Sequence, residues 1–146
     1  MLNIFATNKK AHFDYEIHDT VEAGIVLKGY EVKAIKKSHM SLSGSYATFH
    51  GGELFLINTT ISEYQAKNQP KNYDKNGSHK LLLKKSELEM LIRQVKEKKM
   101  MLIPTKVYLR GDKIKVEIGI GRSKKKYDKR ETLKEKESRK IIKKYI

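Results

Sequence analysis

The chain has 146 residues, the size of one compact domain with room for an appendage. Its 32 Lys/Arg against 17 Asp/Glu give a formal net charge of +15, and the absence of Cys excludes disulfide frameworks, zinc ribbons and thiol nucleophiles. The longest apolar runs, residues 54–57 and 100–103, are too short to cross a bilayer, and no secretory signal is expected at residues 1–8, so a cytoplasmic protein with a polyanionic partner is expected.

In chain order, Phe13, Tyr15 and Ile17 alternate with Asp14 and Glu16, which predicts a first, half-buried strand over residues 12–17. Asn8-Lys9-Lys10 lies just before it. After Gly29, the alternation of Tyr30, Val32 and Ala34 with Glu31 and Lys33 predicts a second strand that projects Glu31 and Lys33 outward together. Gly51-Gly52 between two alternating segments, residues 46–50 and 53–58, suits a hairpin turn in which both central residues take positive φ. Residues 60–79 hold Pro70, Asn68, Asn72, Asn76 and Gly77 and little that is apolar, which reads as a long exposed loop. Ser86 followed by Glu89 forms a capping-box pattern, and Leu88, Leu91, Ile92 and Val95 follow at helical spacing, so a helix is expected over about residues 86–99. Ile103, Thr105, Val107 and Leu109 then face one way, Arg110-Gly111-Asp112 turns the chain, and Ile114, Val116, Ile118 and Ile120 face back, with Lys113, Lys115 and Glu117 on the wet face.

Charge divides the chain near Gly121. Residues 122–146 carry twelve Lys/Arg and four Asp/Glu, a net +8, against +7 for residues 1–121. Six or so short strands with one or two helices before that boundary predict a mainly β (α+β) domain over residues 1–121, a small antiparallel OB-like β-barrel with one or two packed helices. Residues 122–146 form a basic tail, expected to be disordered when free and helical on a polyanion.

The residues offer no catalytic constellation. His12, His18, His39, His50 and His79 form no ligand pair, so they read as surface or turn residues, and neither a metal nor a cofactor is expected. Gly119-Ile120-Gly121 lacks the third glycine of a dinucleotide loop and reads as a strand end that allows close backbone approach. What the residues do offer is phosphate and base contact. Candidates are Asn8, Lys9 and Lys10, then Glu31 and Lys33, then the tail. Glu31 could accept from base edges or 2′-hydroxyls, although a solvated Glu31–Lys33 pair explains both residues as well. Tyr127 among Lys124, Lys125, Lys126, Lys129 and Arg130 suits base stacking, or is an incidental aromatic in a charge run.

In order along the chain stand Asn8-Lys9-Lys10-Ala11, Glu22-Ala23-Gly24-Ile25, Gly29-Tyr30-Glu31-Val32-Lys33, Ser41-Leu42-Ser43-Gly44-Ser45-Tyr46, Lys80-Leu81-Leu82-Leu83 and Asp128-Lys129-Arg130-Glu131-Thr132. In that order and spacing they resemble the small protein B family, the SsrA- or tmRNA-binding proteins of bacterial trans-translation, over essentially the whole length. The resemblance implies an OB-like barrel that grips the tRNA-like domain of tmRNA (SsrA RNA). It also implies delivery of alanyl-tmRNA with elongation factor Tu to stalled ribosomes, and a tail that enters the empty mRNA channel and engages the decoding centre. The RNA grip would fall on Asn8, Lys9, Lys10, Glu31 and Lys33, with Ser45, Tyr46 and Lys80 from the other matched segments. The decoding contact would fall on Lys124, Lys125, Lys126, Tyr127, Asp128, Lys129 and Arg130. A monomer is expected, away from any membrane. Departures from the family pattern are the stretch Asp74-Lys75-Asn76-Gly77-Ser78-His79, which lacks the usual Pro and Arg residues, Glu63 in Ile61-Ser62-Glu63-Tyr64, and Tyr127 where His is frequent. A ribosomal protein or RNA chaperone would explain charge, barrel and tail equally; an RNA-modifying enzyme would need an acid/base cluster or cofactor loop that the sequence lacks.

Overall fold

A computed structural model of the chain describes residues 3–62 and 77–124. Those residues form, in order, β1 (Asn3–Thr7), α1 (Lys9–Asp14), β2 (Tyr15–Ile25), α2 (Gly29–Lys36), β3 (Met40–Ser41), β4 (Tyr46–His50), β5 (Glu53–Ile57), β6 (Thr60–Ile61), β7 (His79–Leu82), α3 (Lys85–Lys98), β8 (Met101–Arg110) and β9 (Lys113–Ser123).

Every strand pairing is antiparallel, and the main sheet runs β1-β8-β4-β5-β7-β2-β9 before β9 pairs back onto β8. The strands therefore close into the barrel-like ring expected. β8 carries β9 along one edge and divides the other between β1, at residues 106–109, and β4, at Leu102. Inside the ring lie Leu54, Leu56, Val107, Val116 and Ile118, sealed by Leu91 of α3 and by Ala34 and Ile35 of α2.

Both expected hairpins form. Gly51 and Gly52 take φ of 59° and 80° between the paired His50 and Glu53, a turn that a Cβ would strain at both positions. β8 and β9 meet at Arg110↔Lys113. A register shift between Pro104 and Lys106 changes the parity of β8, however, so Leu102 and Val107 join the core cluster where Ile103 and Val107 were expected to share a face. Gly121 is the close approach the sequence suggested: a Cβ there would lie 2.1 Å from the Glu16 carbonyl oxygen.

Several expectations need correction. Residues 12–14 belong to α1, and the strand begins at Tyr15; six helical residues capped by Asn8 are too few to display a helical period. Residues 30–34 are helical. Glu31, Ala34 and Ile35 turn inward at i, i+3 and i+4, and the Glu31 carboxylate accepts the Lys28 N–H at 2.9 Å, closing the first turn. In α3 the capping carboxylate is Glu87, which takes the Lys84 N–H at 3.1 Å, so the box lies two residues before the Ser86/Glu89 pattern. The ends of the expected 60–79 loop are strand, in β6 and at His79; residues 63–76 lie outside the described residues. The body also extends past Gly121, through Ser123 of β9.

Candidate nucleic-acid interface

At one end of the long β2–β9 ladder, α2 leans over the sheet and leaves a surface hollow of about 320 Å³. Its lining includes Gly24 and Ile25 of β2, Leu82 of β7, Val32 and Lys36 of α2, and Lys113, Ile114 and Lys115 of β9, with Asp112 at the turn. The register explains the convergence. Gly24 pairs with Leu82 on one side and Lys115 on the other, so three strands meet at a residue with no side chain. A Cβ on Gly24 would stand 3.3 Å from Leu82 Cβ and 3.7 Å from Lys115 Nζ. Leu82 is 50% exposed although Leu81 beside it is buried. Three lysines against one aspartate rim an apolar floor, a combination that can hold phosphates at the edge and the face of an unstacked base on the floor.

Next to this hollow, the Glu22 Oε1 atom accepts from the Tyr108 hydroxyl at 2.5 Å and from Arg110 Nε at 2.6 Å. The Tyr108 hydrogen bond, with Arg110 and Lys115 nearby, holds the Glu22 carboxyl below its usual range, so it stays ionised.

The sequence-predicted residues divide between opposite ends of the molecule. Asn8, Lys10, Ser45 and Tyr46 line a second hollow with Asp14, Tyr15 and Met101. Lys9, Lys10 and Tyr46 are exposed there. Asn8 is enclosed, only 5% exposed: its Oδ1 accepts the Ala11 N–H at 3.2 Å and its Nδ2 donates to the carbonyls of Pro104 at 2.9 Å and Leu42 at 3.3 Å. Ser45 is likewise buried, its hydroxyl 2.9 Å from the Ile57 carbonyl oxygen and 2.6 Å from Thr59 Oγ1. Lys33 is exposed on α2, and Lys80 forms a half-exposed ion pair with Glu53 at 3.0 Å. Glu31 does not project outward. It is 5% exposed, and its Oε2 lies 2.5 Å from Nε2 of His79, itself 7% exposed. The expectation of a surface or turn role for His79 is thus also corrected: its ring is buried beneath α2. Lys124 leaves β9 with its N–H on the Asp14 carbonyl at 2.9 Å and its Nζ on the His12 carbonyl at 3.0 Å. Lys125, Lys126, Tyr127, Asp128, Lys129 and Arg130 lie outside the described residues.

The first hollow went unnoticed in the sequence, yet Lys80-Leu81-Leu82-Leu83 contained a signal. Neighbouring side chains on a strand point to opposite faces, so consecutive leucines cannot all be inside.

The two ends are far apart. From Tyr15↔Ser123 to Gly24↔Lys115 the ladder runs nine residues along β2, about 30 Å at strand rise. Among the described residues no helix is long and apolar enough to cross a membrane.

The family model described as SmpB protein matches residues 5–146. The SsrA-binding protein of Thermosipho africanus is 43% identical over 146 residues, covering 99% of this chain and 97% of the relative. That of Caldicellulosiruptor saccharolyticus is 44% identical over 149 residues, covering 99% and 94%. A solved chain from a study of tmRNA-SmpB in the bacterial ribosome is 40% identical, with a TM-score of 0.63, covering 86% of this chain and 85% of that one.

Proposed function

The chain belongs to the SmpB protein family, and from that premise we propose that it binds tmRNA (SsrA RNA) and serves trans-translation on the ribosome. The observation that carries the assignment to a surface is the Leu82 hollow, where Lys36, Lys113 and Lys115 rim an apolar floor at the end of the ladder remote from Lys124. In this reading the hollow and α2 grip the tRNA-like domain. Lys9, Lys10 and Tyr46, at the other end, face the ribosome together with the chain beyond Lys124.

Residues 125–146 carry ten Lys/Arg against four Asp/Glu. Counterion release draws such a segment toward phosphate-lined space, and only a channel empty of mRNA offers that space. Ordering it costs conformational entropy that the contacts of Lys125, Lys126, Tyr127, Lys129 and Arg130 must exceed. Lys124, tied to α1, acts as the fixed root of this tail. The protein works by binding rather than by catalysis, as a cytoplasmic monomer, and elongation factor Tu joins through the alanyl end of tmRNA.

Competition binding tests the assignment. The full chain should prefer the tRNA-like domain of SsrA RNA to elongator tRNA; equal affinities would favour a general RNA chaperone and refute it. Truncation after Lys124 should spare tmRNA binding and abolish peptide tagging. Normal tagging by the truncated chain would refute the division of labour.

A further inference from the structure

We propose that the buried Glu31–His79 pair is a positioning brace that sets the two walls of the Leu82 hollow and so governs RNA affinity without touching RNA. The inference rests on the assignment of that hollow to RNA. One wall is α2, which contributes Val32 and Lys36; the other is sheet, including Leu82 of β7. Glu31 precedes Val32 on the helix, and His79 opens the strand that ends at Leu82.

The bonding is two-sided on the acid and one-sided on the base. Glu31 Oε1 takes the Lys28 N–H at 2.9 Å, fixing the carboxylate to the start of α2, while Oε2 meets His79 Nε2 at 2.5 Å. His79 Nδ1 is buried with no hydrogen-bond partner among the described residues, so the polar link of the imidazole there is the bond to Glu31. β7 is a short strand between two neighbours, with two residue pairs to β5 and two to β2, so the Glu31–His79 bond is what ties it to α2. Buried charged or polar pairs add little net stability over apolar replacements, but removing one partner is costly, and their best-attested benefit is to select one arrangement of the elements they join. Here the selected arrangement is the height of Val32 and Lys36 above Leu82.

The test measures affinity of the full chain for a transcribed tRNA-like domain of SsrA RNA, together with thermal stability. His79→Leu should weaken binding about tenfold, the size of coupling that a packed two-element contact carries, with no change in salt slope because no phosphate contact is lost. His79→Gln, whose amide can donate to the Glu31 carboxylate, should restore affinity to near the parent value. If His79→Leu does not fold, Glu31→Gln with His79→Leu removes the buried charge, keeps an acceptor for Lys28, and should show the same weakening. Unchanged affinity in folded His79→Leu or in the double variant overturns the brace, as does a His79→Gln variant no tighter than His79→Leu, and so does a salt slope lowered by about one unit, which would mean direct phosphate contact. Lys115→Glu separates the two levels. If it weakens binding while His79→Leu and the double variant do not, the brace alone fails; if it has no effect, the assignment of the hollow fails and the brace with it.

Discussion

Replacing Asn8 with Ala removes a helix cap and a tertiary tie in one step. The cap is the Ala11 N–H on Oδ1, and the tie is Nδ2 on the Pro104 carbonyl, 96 residues away. Loss of an Asn cap costs about 1 kcal/mol. Loss of one well-formed buried hydrogen bond costs about 1 kcal/mol more. The 3.3 Å contact to the Leu42 carbonyl adds little, because that oxygen keeps the Ser45 N–H at 3.0 Å. The total is about 2 kcal/mol, which for a domain of this size lowers the melting temperature by roughly 8 °C. Urea denaturation of the full chain, followed by circular dichroism, reads the change directly. Asn8→Asp is the sharper variant. It keeps the cap acceptor but turns a carboxylate oxygen toward the Pro104 carbonyl, so it should be at least as destabilising as Ala although Asp is a good capping residue elsewhere. A denaturation midpoint unchanged by either substitution, with weakened RNA binding instead, would refute this account and return Asn8 to direct RNA contact.

At Gly121, a Cβ would meet the Glu16 backbone at 2.1 Å, whereas at Gly119 it would meet only the methyls of Thr105 and Ile17 at 3.0 and 3.1 Å. Gly121→Ala should therefore cost at least the ~1–3 kcal/mol of ordinary overpacking, and Gly119→Ala clearly less; thermal denaturation giving the opposite order would contradict the register. Lys36→Ala combined with Lys115→Ala should lower the salt slope of tmRNA binding by about one to two units, and an unchanged slope would remove the lysines from phosphate contact. Burial, aided by Glu22, pushes the Tyr108 hydroxyl from 10.0 up to about 12. Its neutral form is favoured by folding, so this contribution is complete below pH 10 and is lost as pH rises towards about 12. Tyr108→Phe should flatten the alkaline slope of stability in that window, and an identical slope in the variant would show that Tyr108 does not cause it.

Where one physical signal dominated, the sequence was legible. Gly51-Gly52 could serve little but a tight turn, and the β8–β9 hairpin declared itself through two long alternating strands. Legibility failed where two patterns overlapped. In Gly29–Lys36, Tyr30, Val32 and Ala34 satisfy period two, while Glu31, Ala34 and Ile35 satisfy the helical stripe; only the inward carboxylate on Lys28 decides between them. That same inversion hid the role of His79, whose partner lies 48 residues earlier in the chain. Asn8 was selected as a polar residue beside Lys9-Lys10 and Ser45 from a segment matched to the family, but their polar groups close internal bonds, which composition cannot reveal. The Leu82 hollow needed the register of β2, β7 and β9 before Gly24, Leu82 and Lys115 could be placed side by side.

The nine-residue ladder between Tyr15 and Gly24 makes the body a gauge block. Its length is set by backbone hydrogen bonds rather than by side chains, so surface substitutions can retune either end without altering the span. Whatever docks at Lys115 is thereby presented at a constant offset from whatever meets Lys124, and the two can be matched to their counterparts independently.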